Sequence, residues 1–240
     1  MRIDVTRDYT LDTKGFWDDF WEDNPLGQIN KDPDNMSLSL MTDQMRLYRR
    51  KLPNGEFFDL KAGLKRRFVW KDVEFSSDSI INNLRHKGYA IVENMVDRPD
   101  YRKKIEDYLH ESYTIGGEII WPVKNSINQA RGRIKSVSDR MDLTLYCIQA
   151  YYQKSKSMPE PELNYFLKNI WDNGWFFDLF VDFKGYVDFF FLNDLVEDYD
   201  TILWLDYTGR PSTEKDYNLF CDRMMDFLRK RNRRISEFEI

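Results

Sequence analysis

Between Tyr113 and Tyr152 the chain runs YTIGGEIIWPVKNSINQARGRIKSVSDRMDLTLYCIQAYY, a segment that sets amides, guanidinium groups and carboxylates among apolar residues. Polar groups in such surroundings must find partners. An unpaired buried amide or hydroxyl costs about 1–3 kcal/mol and an unpaired charge more. Asn125, Asn128, Gln129, Arg131, Arg133, Asp139, Arg140 and Asp142 therefore imply one of two things. Either they form a hydrogen-bonded scaffold that pins a loop between a strand and a helix, or they line a pocket for a ligand. The sequence leaves both open.

A chain of 240 residues, 42% hydrophobic and 16% aromatic, carries enough apolar surface to offset the entropy of ordering, and its length suits one compact domain. The expected organisation is an N-terminal arm over residues 1–40, docked through Trp17, Phe20 and Trp21 at helical spacing, and one α+β domain over residues 41–240. A net charge of −5 opposes a protein built to coat nucleic acid. The basic run RKRNRR at Arg229 to Arg234 is expected to be solvated and to complement a helix C-terminus. The N-terminus has no apolar core of a secretory signal, and the most apolar window, Trp175 to Leu195, is interrupted by Asp178, Asp182, Lys184, Asp188 and Asp194. A cytoplasmic protein with no membrane span is the expectation. Only two cysteines are present, Cys147 and Cys221, both in helical patterns, so no disulfide is expected.

Periodicity and turn chemistry give the elements. Met41 to Arg50 suits a helix, LPNGE a turn leading into a hairpin, and FFDL and Arg67 to Phe75 short strands. Ser76 to Ser79 offers caps for a helix over Ile80 to His86, followed by a strand in YAIVENMV and a charged helix over Asp100 to Glu111. GGEIIWPV and TILWLD read as strands. Ser138, Asp139 and Asp142 are candidate caps for a helix reaching Tyr152; Glu162 to Val196 forms apolar helices broken near Gly174 and Gly185; Ser212 to about Asn232 is a terminal helix. The fold expected is α+β: a small, mainly antiparallel sheet, including GGEIIWPV and TILWLD, packed by the C-terminal helices.

Read in order, the blocks DPDNMSLSL, LPNGEFFDL, FSSDSI, YTIGGEIIWP, SINQARG, SDRMDLTLYCIQAYY and FFDLFVDFKGYVDFFFLNDLV resemble those of an uncharacterised bacterial protein family of unknown function. Asp32, Asp34, Ser77, Asp78, Gly116 and Gly117 are among the positions that fit its pattern. One block departs: LYRRK stands directly before LPNGE, where the family often carries a Trp-containing segment. The resemblance implies candidate positions and no reaction.

The residue types narrow the chemistry. Arg131 offers a planar fork for phosphate or carboxylate, and Asn128 can donate and accept toward an amide or base. Asp139 beside Arg140 could set a carboxylate near an anion-holding cation, or merely cap a helix. The candidate ligand-binding set is Asn128, Arg131, Asp139 and Arg140, with Asn54 and Asp182 as neighbours, for a small polar or anionic ligand. No catalytic residue is named. Asp178, Asp182, Asp188 and Asp194 could hold Mg²⁺ through oxygen ligands, but read better as a solvated or ion-paired stripe, so no metal and no cofactor are expected. With only His86 and His110, a zinc site or a histidine-based triad lacks ligands. The second reading, of another class, is a non-enzymatic interaction protein whose partner surface is the arm's aromatics.

Overall fold

The computed structural model describes residues 3–23, 31–80, 95, 97–125, 127–203 and 211–238. The expected helix after Ile80 and the strand in YAIVENMV lie outside the described residues, as does His86. The principal helices are α1 Leu38–Leu47, α2 Pro99–Ser112, α3 Ile127–Arg133, α4 Met141–Tyr152, α5 Asn164–Asp172, α6 Phe183–Phe189 and α7 Glu214–Glu237. The strands are β1 Arg50–Lys51, β2 Phe57–Phe58, β3 Lys61–Ala62, β4 Phe68–Trp70, β5 Val73–Ser79, β6 Glu118–Pro122, β7 Val196–Glu197 and β8 Thr201–Ile202.

The LPNGE turn closes the β1–β2 ladder, with Gly55 at φ 89°, a conformation that glycine adopts without steric cost. Strands β3 to β6 form an antiparallel sheet in sequence order. Arg67 to Phe75 is not one strand but parts of two, because Lys71 and Asp72 both take positive φ, 47° and 63°, and turn the chain between β4 and β5. That geometry suits a two-residue hairpin, but Lys-Asp lacks the Asn-Gly signature that would announce it. Ser76 to Ser79 are correspondingly strand residues, not helix caps. TILWLD also departs from expectation: Thr201 and Ile202 pair with β7 in a separate ladder and do not extend the main sheet.

Strand β6 is buried at every position, so its two faces both meet protein. In its register with β5, Ser77 lies opposite Ile120 and Ser79 opposite Glu118, while Ser76 lies opposite Trp121 and Asp78 opposite Ile119. Side chains of directly opposed residues share a face. Ser77 and Glu118 thus project to one side of the sheet, and Asp78 and Trp121 to the other.

The helices of the C-terminal half enclose the sheet, and the fold is a single-domain α+β structure. Helix α7 starts at Thr213, whose hydroxyl accepts from the Asp216 amide at 3.1 Å. Its buried stripe runs Tyr217, Phe220, Met224, Leu228 and on to Arg231, Asn232 and Ile235. Two residues of the basic run therefore face the interior, and Arg229, Lys230 and Arg234 pair with Glu111, Asp226 and Asp194. In the apolar segment the chain breaks at Gly174 as expected, but its second break is at Val181, φ 69°, and Gly185 sits inside α6. The N-terminal residues pack through their rings: Phe16 lies edge-on to Tyr113 at 5.3 Å and Trp17 meets His110 at 5.0 Å. Phe16 and Phe20 are buried, which leaves these aromatics turned toward the body.

Candidate functional site

Glu118 is the only charged residue in the run from Ile115 to Val123, and it stands on the most enclosed strand of the sheet with no exposed surface. Two glycines deliver it there. A Cβ on Gly117 would lie 1.6 Å from the Ser112 carbonyl oxygen, and one on Gly116 would lie 2.4 Å from Asn232 Oδ1, to which the Gly116 amide donates at 2.8 Å. The Gly-Gly pair is thus a packing requirement of the α2–β6 corner against α7.

From Glu118 a chain of polar groups extends across the same face. Gln44 Nε2, from α1, donates to Ser77 Oγ at 2.8 Å, and Ser77 Oγ donates to Glu118 Oε2 at 3.1 Å. The remaining acceptors, Gln44 Oε1 and Glu118 Oε1, are buried without a hydrogen-bond partner, while the Tyr113 hydroxyl faces the Asp32 carboxyl. Each such atom forfeits about 1–3 kcal/mol unless something fills the gap. Both atoms lie beside the Glu118 carboxyl, on the same face of the sheet.

The cluster is completed by the DPDN segment. Pro33–Met36 forms a single helical turn packed against β5, with Asp32 at its N-cap and Asp34 in its first turn. Burial pushes the Asp32 carboxyl above the usual range, and burial with the adjacent Asp32 charge pushes Asp34 well above it. Glu118 is raised well above its usual value by burial, then by Asp32 and Asp78. On the far face, burial pushes Asp78 up to about 7, with Arg131 pulling down and Asp139 and Asp32 pushing up. Tyr113 is held in its phenol form by burial and by the same carboxylates. Burial first, and neighbouring carboxylates second, thus favour the protonated forms of these groups. A carboxyl near 7 can take or give a proton at neutral pH, the property a general acid or base requires.

Arg131 lies beside Asp78, on the other face of the sheet from Glu118. Its side chain is completely buried and its five donor contacts are all to protein: Nε to Thr144 Oγ1 at 3.1 Å, Nη1 to Asp78 Oδ2 at 2.8 Å and Ser79 O at 3.1 Å, Nη2 to Ile80 O at 2.9 Å and Asp139 O at 3.0 Å. Trp121 lies over the guanidinium at 5.6 Å. Asn128 shares this flank through a 3.5 Å contact with Ser76 Oγ, and the Asp139 carboxylate abuts Gly132. Asp139 caps no helix; it sits at φ 57° just before α4.

The other expected site residues lie elsewhere. Arg140 turns to the buried carboxylate of Asp142, against Phe220 and Met224 of α7. Asn54 Oδ1 accepts from the Glu56 amide within its turn, and Asp182 Oδ1 accepts from the Gly185 amide at 2.7 Å as the N-cap of α6. The neighbouring aspartates are also engaged: Asp178 by Tyr151, Asp188 by Lys184, Asn193 and Tyr199, and Asp194 by Arg234. Among the described residues, no three carboxylate, thiolate or imidazole groups gather closely enough to ligate one ion.

Gln44, Tyr113 and Glu118 are absent from the set that the sequence suggests, and Asp32, Asp34 and Asp78 stand in it only as positions fitting a family pattern. A charged residue in a strand that otherwise reads as apolar was the available signal. No curated protein and no solved structure matches this chain. The profile of a family of unknown function, DUF6994, matches residues 3–235, and the chain belongs to that family.

Proposed function

We propose that this protein binds a small organic cation, an amine- or guanidinium-bearing molecule, at the carboxyl cluster of Asp32, Asp34 and Glu118, beside Gln44 and Tyr113. One observation supports the reading: buried acceptors on Gln44 and Glu118 lack donors beside carboxyls whose charge is suppressed by burial and, secondarily, by neighbouring carboxylates. A ligand with several N–H groups and a positive charge would satisfy both deficits. The charge preference is opposite to the anion preference that Arg131 suggests, because the donors of that guanidinium are already occupied.

Binding would lower the carboxyl pKa values and expel protons, linking occupancy to pH. Whether or not a reaction follows, Asp78 is the group best placed to exchange a proton near neutrality. Two free, buried cysteines support a reducing compartment, in keeping with a bacterial cytoplasmic protein, and no helix among the described residues is long and apolar enough to cross a membrane.

The test is a thermal-shift panel at pH 8 comparing agmatine, spermidine and putrescine with sodium chloride at equal ionic strength. Stabilisation by at least one amine, lost in Glu118→Gln and Asp34→Asn, is expected. Equal response to every salt, or an amine response unchanged by both substitutions, would remove the proposal.

A further inference from the structure

Arg50, at the start of β1, is the unusual cation of this fold. Its guanidinium carbon lies 4.4 Å from the ring centroids of Phe189 and Phe191 and 4.6 Å from that of Phe238. Arginine over aromatic faces is common, but among the described residues this charge has no carboxylate partner: it donates to the Phe189 carbonyl, and Nε is buried without a partner. Burial lowers its pKa to about 10, with Arg231 adding positive charge from within the core, so the group stays ionised at neutral pH. An ionised, poorly hydrated guanidinium without a counter-ion calls for an external anion.

The space for one is present. A groove of about 510 Å³ opens beside Arg50, lined by Lys51, Leu52, Pro53, Asp182, Lys184, Gly185, Asp188, Phe189 and Phe238. Its volume falls in the range of small-molecule pockets. Its acidic members are already engaged, Asp182 as the α6 cap and Asp188 with Lys184, whereas Lys51 has no ion pair among the described residues. Apolar rims from Pro53, Phe189 and Phe238 flank this cationic floor.

We infer that the Arg50 groove is a binding site for a carboxylate or phosphate group carried on a small apolar body, separate from the buried carboxyl cluster. The guanidinium supplies charge-assisted hydrogen bonding, Lys51 adds a second positive charge, and the rings cover the apolar part. The opposite charge of the two sites makes their failures distinguishable.

The experiment measures Kd for phenyl phosphate and phenylacetate by calorimetry, with inorganic phosphate as the oxyanion alone. Phenyl phosphate ahead of phenylacetate would assign a phosphate site, and the reverse a carboxylate site. Arg50→Met is expected to weaken the better ligand by about tenfold or more, and Lys51→Glu, at an exposed position that leaves folding intact, by severalfold. Arg133→Met, an exposed cation outside the groove, should change nothing. Undetectable binding of all three anions, binding that survives Lys51→Glu unchanged, or equal losses in Arg133→Met would overturn the inference.

Discussion

Replacing Arg131 by alanine should destabilise this protein more than any substitution of an exposed arginine, and by an amount that depends on pH. The side chain is wholly buried and donates to Asp78, Thr144 and the carbonyls of Ser79, Ile80 and Asp139. Removing one partner of a buried pair typically costs about 3–5 kcal/mol, a large share of the roughly 5–15 kcal/mol that holds a domain together. In a chain of this size that corresponds to a fall in Tm of roughly 6–20 °C. The cost should grow as pH rises. Arg131 pulls the Asp78 pKa down, so its loss raises an already raised value above about 7. A carboxyl with a raised folded pKa contributes stability below its unfolded value, about 3.9, and loses it as pH climbs through the folded value. Arg131→Ala should therefore be less damaging at pH 5.5 than at pH 8. Arg131→Lys, with one ammonium in place of the fork, should fall between wild type and alanine. Arg229→Ala breaks only a half-exposed pair with Glu111 and should cost about 0–1 kcal/mol. Urea unfolding at the two pH values measures all four proteins. Equal, small losses for Arg131→Ala and Arg229→Ala, or a pH-independent loss at Arg131, would refute the reasoning.

The ligand-free protein should itself be more stable at pH 5.5 than at pH 8, since the raised Asp32, Asp34, Asp78 and Glu118 all hold protons more readily when folded, and Glu118→Gln should flatten that profile; rising stability from pH 5.5 to 8 by calorimetric scanning would contradict it. Gly117→Ala should abolish soluble expression or lower Tm steeply, because its Cβ would enter the Ser112 carbonyl, whereas Asn54→Ala at the exposed turn should be mild. Asp182→Ala should cost about 1 kcal/mol through its lost cap, and millimolar Mg²⁺ should leave Tm unchanged in both wild type and variant; a metal-dependent rise in Tm that disappears in Asp182→Ala would show a ligating role instead.

The terminal helix, the α4 helix, the LPNGE hairpin and the GGEIIWPV strand were legible because each is announced locally by spacing, by caps or by turn residues. The Lys71-Asp72 turn was not, because two residues without turn chemistry are forced to positive φ by the pairing of β4 with β5. Arg231 and Asn232 look like part of a solvated tail in composition, yet they continue the spacing of Met224 and Leu228 onto the buried face. Periodicity was the better guide there than charge. At the site, the dense polar segment correctly marks a network, but the sequence cannot say which partner satisfies which donor. Arg131 reads as an anion binder until the strand register places Asp78 beside it. The buried carboxyl cluster draws on α1, the DPDN turn, β5 and β6, parts distant along the chain, so its composition emerges only once the sheet is assembled.

The proton balance of binding tests the proposed cation site most directly. Calorimetric titration of the best-stabilising amine at pH 6.5, in two buffers of different ionisation enthalpy, gives the number of protons exchanged per cation bound. Suppressed carboxyls that ionise against the incoming charge must release protons, and Asp78, with its pKa pushed up to about 7, should be among the sources. The account predicts net release that shrinks in Asp78→Asn. Binding with no proton exchange, or release unchanged in that variant, would contradict it.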